Sequence, residues 1–166
     1  AVLGSVNPVA APYFDFSSPE AMGVVGIVLP ERPSLVPFVS RVAAATVAGN
    51  TVVVATSEKH PLPALLFCEV IGTSDYPGGV VNVVSGKKTE VAVALSRHRD
   101  VDALDDCGGD VGLSKGYEEE AADRVRRVIH GPGASEDDWY DARRCEGIGP
   151  IEGLVEIKTT WHPAGV

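Results

Sequence analysis

Hydrophobic residues in this chain gather into short runs punctuated by glycine and proline, most densely between Met22 and Gly86. GVVGIVLP, GNTVVVATSE and GGVVNVVSG hold apolar residues at odd and even positions alike, the pattern of parallel strands covered on both faces. The first strand is predicted over residues 23–29 and ends at Pro30. Ser34 then serves as an N-cap, Leu35, Phe38, Val39 and Val42 recur at helical spacing, and Gly49 stands where helices commonly end on glycine. The second strand covers residues 51–55, where consecutive valines favour an extended backbone. After Pro63 a second helix should turn Leu65, Leu66 and Val70, with Cys68 as a further candidate, towards the sheet, and the third strand follows over residues 80–84, closed by Gly86. Thr89 caps a short helix through Leu95, and a fourth, weaker strand spans residues 101–104. Each connection is long enough to hold a helix, as right-handed crossovers between parallel strands require. The pattern predicts a doubly wound parallel α/β sheet.

Further along, residues 117–129 read as a helix with Glu118, Glu119 and Glu120 in its first turn and Arg124, Arg126 and Arg127 in its last. That polarity suits the helix dipole and predicts pairs between Glu120 and Arg124 and between Asp123 and Arg127. Residues 131–153 lose the pattern, and GPGASEDDW, with little to bury, reads as a mobile loop or linker. Alternation returns in residues 154–166. Val155, Ile157, Thr159 and Trp161 should share a buried face, and Glu156, Lys158, Thr160 and His162 a wet one. A strand in that position needs an edge to pair with, on its own sheet or on a neighbouring subunit.

Composition narrows the picture. A chain of 166 residues with 45% hydrophobic content suffices for one domain with a real core. Its apolar runs are strand-sized, far short of the roughly 20 residues a bilayer span needs. No signal-peptide pattern opens the chain, and the missing initiator methionine points to a clipped or partial polypeptide. Cys68, Cys107 and Cys145, an odd count at wide spacing, suit a reducing cytoplasm. The net charge of −9 argues against nucleic-acid and anionic-membrane partners, which need basic patches. Most of that charge lies between Asp100 and Asp123, where nine acidic residues face Lys115 alone, and it reads as a solvated acidic face. His60, His98, His130 and His162 stand too far apart for a metal site, and none is expected.

The ordered blocks GVVGIVLP, AGNTVVV, TSE and PGGVVNVVSG, each separated by a helix-length stretch, resemble the cofactor-binding core of the aldehyde dehydrogenase superfamily over residues 19–129. IKTTWHP at the far end is similar to degenerate, pseudoenzyme-like members. The resemblance implies a Rossmann-like NAD domain over residues 1–130, then a linker over 131–153 and a C-terminal strand extension over 154–166. Because the family assembles through a protruding strand region, it also favours pairing of that last strand with a neighbouring subunit.

Family positions can then be compared one by one. Where the family carries Pro-Trp-Asn, whose asparagine stabilises an oxyanion, this chain has Pro30, Glu31, Arg32 and Pro33. Where the family has Lys-Pro-Ser-Glu for the adenosine ribose, it has Ala55, Thr56, Ser57 and Glu58. The pyrophosphate-contacting Phe-Thr-Gly-Ser corresponds to Asp106, Cys107, Gly108 and Gly109, where Asp105, Asp106 and Asp110 should repel a diphosphate. Gly131 stands near the place of the general-base glutamate, and no Gly-Gln-x-Cys nucleophile motif occurs. Arg143 and Arg144 could lower the thiol pKa of Cys145, but without a histidine nearby that cysteine reads as structural. The resemblance therefore implies Pro30, Ser57, Glu58, Gly86, Gly108 and Gly109 as cofactor-binding residues, with weak or absent binding of NAD or NADP and no catalytic residue. Two functions follow: a catalytically inactive assembly or regulatory partner, as a homo-oligomer or with a dehydrogenase paralogue, or the NAD-binding part of an aldehyde-oxidising enzyme whose cysteine half is missing from this chain.

Overall fold

A computed structural model describes residues 4–133 and 135–164. Two antiparallel strands, β1 (Ser5–Asn7) and β2 (Tyr13–Ala21), precede a regular alternation of parallel strands and helices. That alternation runs β3 (Val24–Val28), α1 (Leu35–Val47), β4 (Thr51–Ala55), α2 (Leu62–Gly72), β5 (Val81–Val84), α3 (Lys88–Arg97), β6 (Ala103–Asp106), α4 (Val111–Ala122) and β7 (Arg127–His130). The five parallel strands lie in the order β5-β4-β3-β6-β7, so the chain winds outward from β3 in one direction and then in the other. The sheet is doubly wound, as the apolar pattern requires. Val25, Ile27, Val52 and Val54 pack with Phe38 and Val42 on one face, while Val28 and Leu104 pack with Ala92, Leu95 and Tyr117 on the other. Gly26 lets α3 pack close on the sheet, because a Cβ there would lie 2.9 Å from Leu95 Cγ.

Several elements differ from the sequence reading for identifiable reasons. The helix expected over residues 117–129 starts earlier, because the Asp110 carboxylate accepts from the N–H groups of Gly112 and Leu113 and fixes the N-terminus there. It also stops earlier, at Ala122, and Val125 turns the chain with φ at 54° into β7. The arginines do not serve that helix. Arg124 and Arg126 donate to the carbonyls of Arg97 and His98 at the end of α3, Glu120 pairs with Arg97 at 2.8 Å, and Arg127 pairs with Glu156 at 2.9 Å. The fourth parallel strand is displaced to Ala103–Asp106, which carries two aspartates into the interior. In α2, Cys68 meets the core as the spacing allowed, together with Ala64, Phe67 and Ile71, whereas Leu66 and Val70 are exposed, contrary to expectation.

The region read as a loop folds into three short helical segments: a 3-10 helix over Glu136–Tyr140, α5 (Ala142–Cys145) and α6 (Gly149–Glu152). Trp139 supplies the missing anchor and is 2% exposed. The last strand, β8 (Val155–Pro163), pairs antiparallel with β2 of its own chain along nine residue pairs, from Tyr13 with Pro163 to Ala21 with Val155. Of the two edges the sequence left open, the strand takes one on its own chain, because β2 is a partner strand the apolar pattern did not reveal, and β8 forms the outer strand of the β1-β2-β8 sheet. Val155 is buried, but Ile157 and Trp161 are exposed, so the alternating face is wet for most of its length. Among the described residues, no helix is long and apolar enough to cross a membrane.

Candidate functional site

Winding in both directions from β3 leaves a gap where the loops after β3 and β6 diverge, and ligands of open α/β sheets bind beyond strand C-termini at such a switch point. A crevice of about 460 Å³ opens there, lined by Pro30, Glu31, Lys59, His60, Gly108 and Gly109 among others. A larger cleft of about 760 Å³ runs along the outer side of α1, but its wall is mainly alkyl and it lies away from the strand ends. Polar groups capable of orienting a ligand concentrate in the smaller one. Three of the expected cofactor residues, Pro30, Gly108 and Gly109, are thus brought together. Gly109 has φ at 71°, a backbone state that suits glycine, so this end of the crevice is bare main chain.

Ser57, Glu58 and Gly86 lie one and two strands away, and a network links them back to the loop after β3. Glu31 Oε1 meets Lys88 Nζ at 2.8 Å and accepts the Glu58 N–H at 3.3 Å. Its Oε2 accepts the Ser57 hydroxyl at 2.8 Å and the Lys59 N–H at 2.9 Å. Burial alone would raise the Glu31 pKa, but the Lys88 bond, the Lys59 amide, the Ser57 hydroxyl and the Lys88 charge outweigh it and hold it at about 2. Glu58 is exposed, and its Oε2 accepts the Lys88 N–H at the start of α3. A Cβ at Gly86 would lie 2.7 Å from Val91, so glycine lets the chain turn tightly into that helix. Sequence reasoning missed Lys88 and gave Glu31 no binding role. The available signal was a lysine two residues after the glycine that closes the third strand. Arg32 Nε donates to His60 Nε2 at 3.1 Å and is turned towards the β4 loop.

The aspartates at the end of β6 and in the loop after it do not stand free against a ligand, as the sequence reading supposed. Asp105 is 0% exposed and paired with Arg41 of α1 at 2.5 Å, and the Cys107 thiol donates to its other oxygen. Burial first, with the Asp105 charge adding to it, pushes the Cys107 thiol well above its ordinary pKa, so it is not a nucleophile. Asp106 accepts from the Ser114 hydroxyl and from the Gly108 N–H, and Asp110 is spent on capping α4. Gly131 is tightly surrounded: a Cβ would lie 3.0 Å from Cys107 Sγ and 3.1 Å from Trp139 Cζ2, so a side chain there requires its neighbours to shift. Cys145 also fails as a nucleophile. Burial pushes its thiol up, Asp141 and Glu146 push the same way against Arg41, and its Sγ donates to the Asp138 carbonyl. Among the described residues, no three His, Cys, Asp or Glu side chains converge as metal ligands would.

The crevice thus has bare main chain at its glycine end, and the Glu31 and Glu58 carboxylates stand beyond β4. The family model described as the aldehyde dehydrogenase family matches residues 2–135. The chain is 37% identical over 103 residues to aldehyde dehydrogenase 1A1 of Gallus gallus, which covers 62% of this chain and 20% of that protein. Among solved structures it is similar to PnpE from Pseudomonas sp. WBC-3, with a TM-score of 0.73, 31% identity, 78% of this chain covered and 27% of that one. It is also similar to the NAD+ complex of an aldehyde dehydrogenase from Bacillus cereus, with a TM-score of 0.72, 27% identity and coverage of 78% and 26%. The chain spans between a fifth and about a quarter of the length of the curated relatives it matches.

Proposed function

The chain belongs to the aldehyde dehydrogenase family, and on that premise we propose that it is the NAD-binding part of an oxidoreductase that oxidises aldehydes, with the catalytic cysteine outside this sequence. One observation carries the reading: the switch point between β3 and β6 holds an open crevice whose walls include Pro30, Gly108 and Gly109. On this reading the bare main chain at Gly108 and Gly109 lets a pyrophosphate approach, and Ser57, Glu58 and Gly86 shape the adenosine end. A bound nicotinamide would accept hydride from the aldehyde carbon. This chain's own contribution is to bind and orient that cofactor, since neither Cys107 nor Cys145 is poised to attack a carbonyl. Calorimetric titration with NAD tests it, with saturable binding at submillimolar to millimolar concentration expected. Absence of heat and of any thermal-shift response at millimolar NAD would overturn it.

A second reading is favoured by Gly131, whose crowded surroundings replace the general base the family resemblance implies there. On it the protein is a catalytically inactive assembly or regulatory partner in the cytoplasm, joining copies of itself or a dehydrogenase paralogue through the outer edge of β8. Three free cysteines accord with that compartment. Turnover of an aldehyde with NAD or NADP above an enzyme-free control would remove this reading.

A further inference from the structure

Four donors from two chain segments converge on a single carboxylate beyond β4. Lys88 Nζ, the Ser57 hydroxyl and the N–H groups of Glu58 and Lys59 all reach Glu31, at 2.8, 2.8, 3.3 and 2.9 Å. Lys88 is itself buried, at 9% exposure, so its charge has few other outlets. A lysine, a hydroxyl and two successive backbone amides make the donor set by which proteins hold phosphate monoesters. Here the set is loaded with the protein's own anion. Glu31 comes from the loop after β3 rather than from the segments that supply the donors, and its side chain keeps 32% of its surface in solvent. It lies at the rim, between β3 and α1, where its displacement would disturb no strand.

We infer that Glu31 sets the nucleotide choice of this site by standing in for a phosphate. With Glu31 in place, the cradle is electrically satisfied, and a second anion entering it would meet the Glu31 and Glu58 carboxylates at close range. A ribose bearing free hydroxyls is tolerated there, and a ribose bearing a 2′-phosphate is rejected. With the Glu31 carboxylate removed, the four donors are released to a phosphate monoester. The inference rests on the cofactor-binding reading for the identity of the nucleotide, while the cradle can be probed without a dinucleotide.

The test titrates adenosine 2′-monophosphate, adenosine 5′-monophosphate, NAD and NADP into the wild-type chain and into Glu31→Ala, Glu31→Gln and Glu31→Ala/Lys88→Ala variants, with circular dichroism establishing that each is folded. Glu31→Ala should bind adenosine 2′-monophosphate and NADP about tenfold or more tighter than wild type, with NAD and the 5′-monophosphate changed less than about threefold. Adding Lys88→Ala should abolish the gain. Glu31→Gln, which keeps the shape and loses the charge, should show part of the same preference. No tightening towards the 2′-monophosphate in folded Glu31→Ala or Glu31→Gln would overturn the inference, as would equal tightening towards the 5′-monophosphate. A gain for the 2′-monophosphate with no NAD binding by any variant would support the cradle and overturn the dinucleotide reading instead.

Discussion

Glu31 and Asp105 are both carboxylates beside a cation, yet they differ in what they do for stability. Glu31 is partly solvated, and its pKa is held at about 2 in the folded state against 4.5 in an unfolded chain. A depressed folded pKa contributes stability that is fully present above about pH 4.5 and fades as the pH falls towards 2. Glu31→Gln should therefore be less stable than wild type at pH 7, by about 1 kcal/mol or less given the solvent exposure. The two urea midpoints should converge by pH 2–3, and a gap that persists unchanged would mean the glutamate acts through shape alone. Asp105 is a different case, fully buried against Arg41. Asp105→Ala strands the guanidinium without a partner and should cost about 3–5 kcal/mol in urea unfolding, whereas Arg41→Met/Asp105→Leu should recover most of that loss. If the double variant were as unstable as the single one, packing rather than charge pairing would govern the site.

At the scale of elements, the parallel core was legible because each buried strand is a run of apolar residues with no wet face, and four of its five strands were placed to within two residues. The fifth, β7, was absorbed into a helix, since Arg124, Arg126 and Arg127 look alike whether they serve their own helix or cap α3 from outside. That distinction is tertiary, and periodicity does not encode it. The candidate site divides the same way. Gly108 and Gly109 could be read from their place after a strand, but the Glu31–Lys88 link joins residues far apart in sequence that only the β5-β4-β3 order brings close. The segment after β7 shows how one side chain can organise a stretch that otherwise reads as linker. Trp139 fills the space above Gly131, and the Ser40 hydroxyl donates to the Cys145 carbonyl at 2.9 Å. Trp139→Ala should cost about 3–5 kcal/mol. Gly131→Glu, which puts a carboxylate back where the family resemblance implies a general base, should destabilise by about 1–3 kcal/mol through overpacking against Cys107 and Trp139. It should yield no aldehyde turnover. Measurable turnover by that variant would show that the segment yields and the catalytic position is still usable.

For the molecule as a whole, charge and apolar surface act against each other. The net charge of −9 keeps copies apart at neutral pH, while the sequence isoelectric point lies near 4.8. The outer faces of α1 and α2 carry Val47, Leu62, Leu66 and Val70 at 57–69% exposure, around a groove of about 540 Å³ between the two helices. Contiguous apolar surface of this kind promotes association once repulsion is lifted. Light scattering from the chain should therefore rise as the pH is lowered from 7 towards 5, and added salt at pH 7 should produce a smaller rise by screening the same repulsion. Leu66→Glu/Val70→Glu acts on both sides of the balance, breaking the apolar surface and adding negative charge. Because both side chains are already in solvent, stability should change by less than about 0.5 kcal/mol while scattering near pH 5 falls severalfold. A control that adds the same charge on the β1-β2-β8 sheet instead, at the exposed positions Ser5→Glu/Thr159→Glu, separates the two causes. If it suppresses association equally, net charge governs the behaviour, and if it leaves most of the scattering intact, the α1–α2 face is where copies meet.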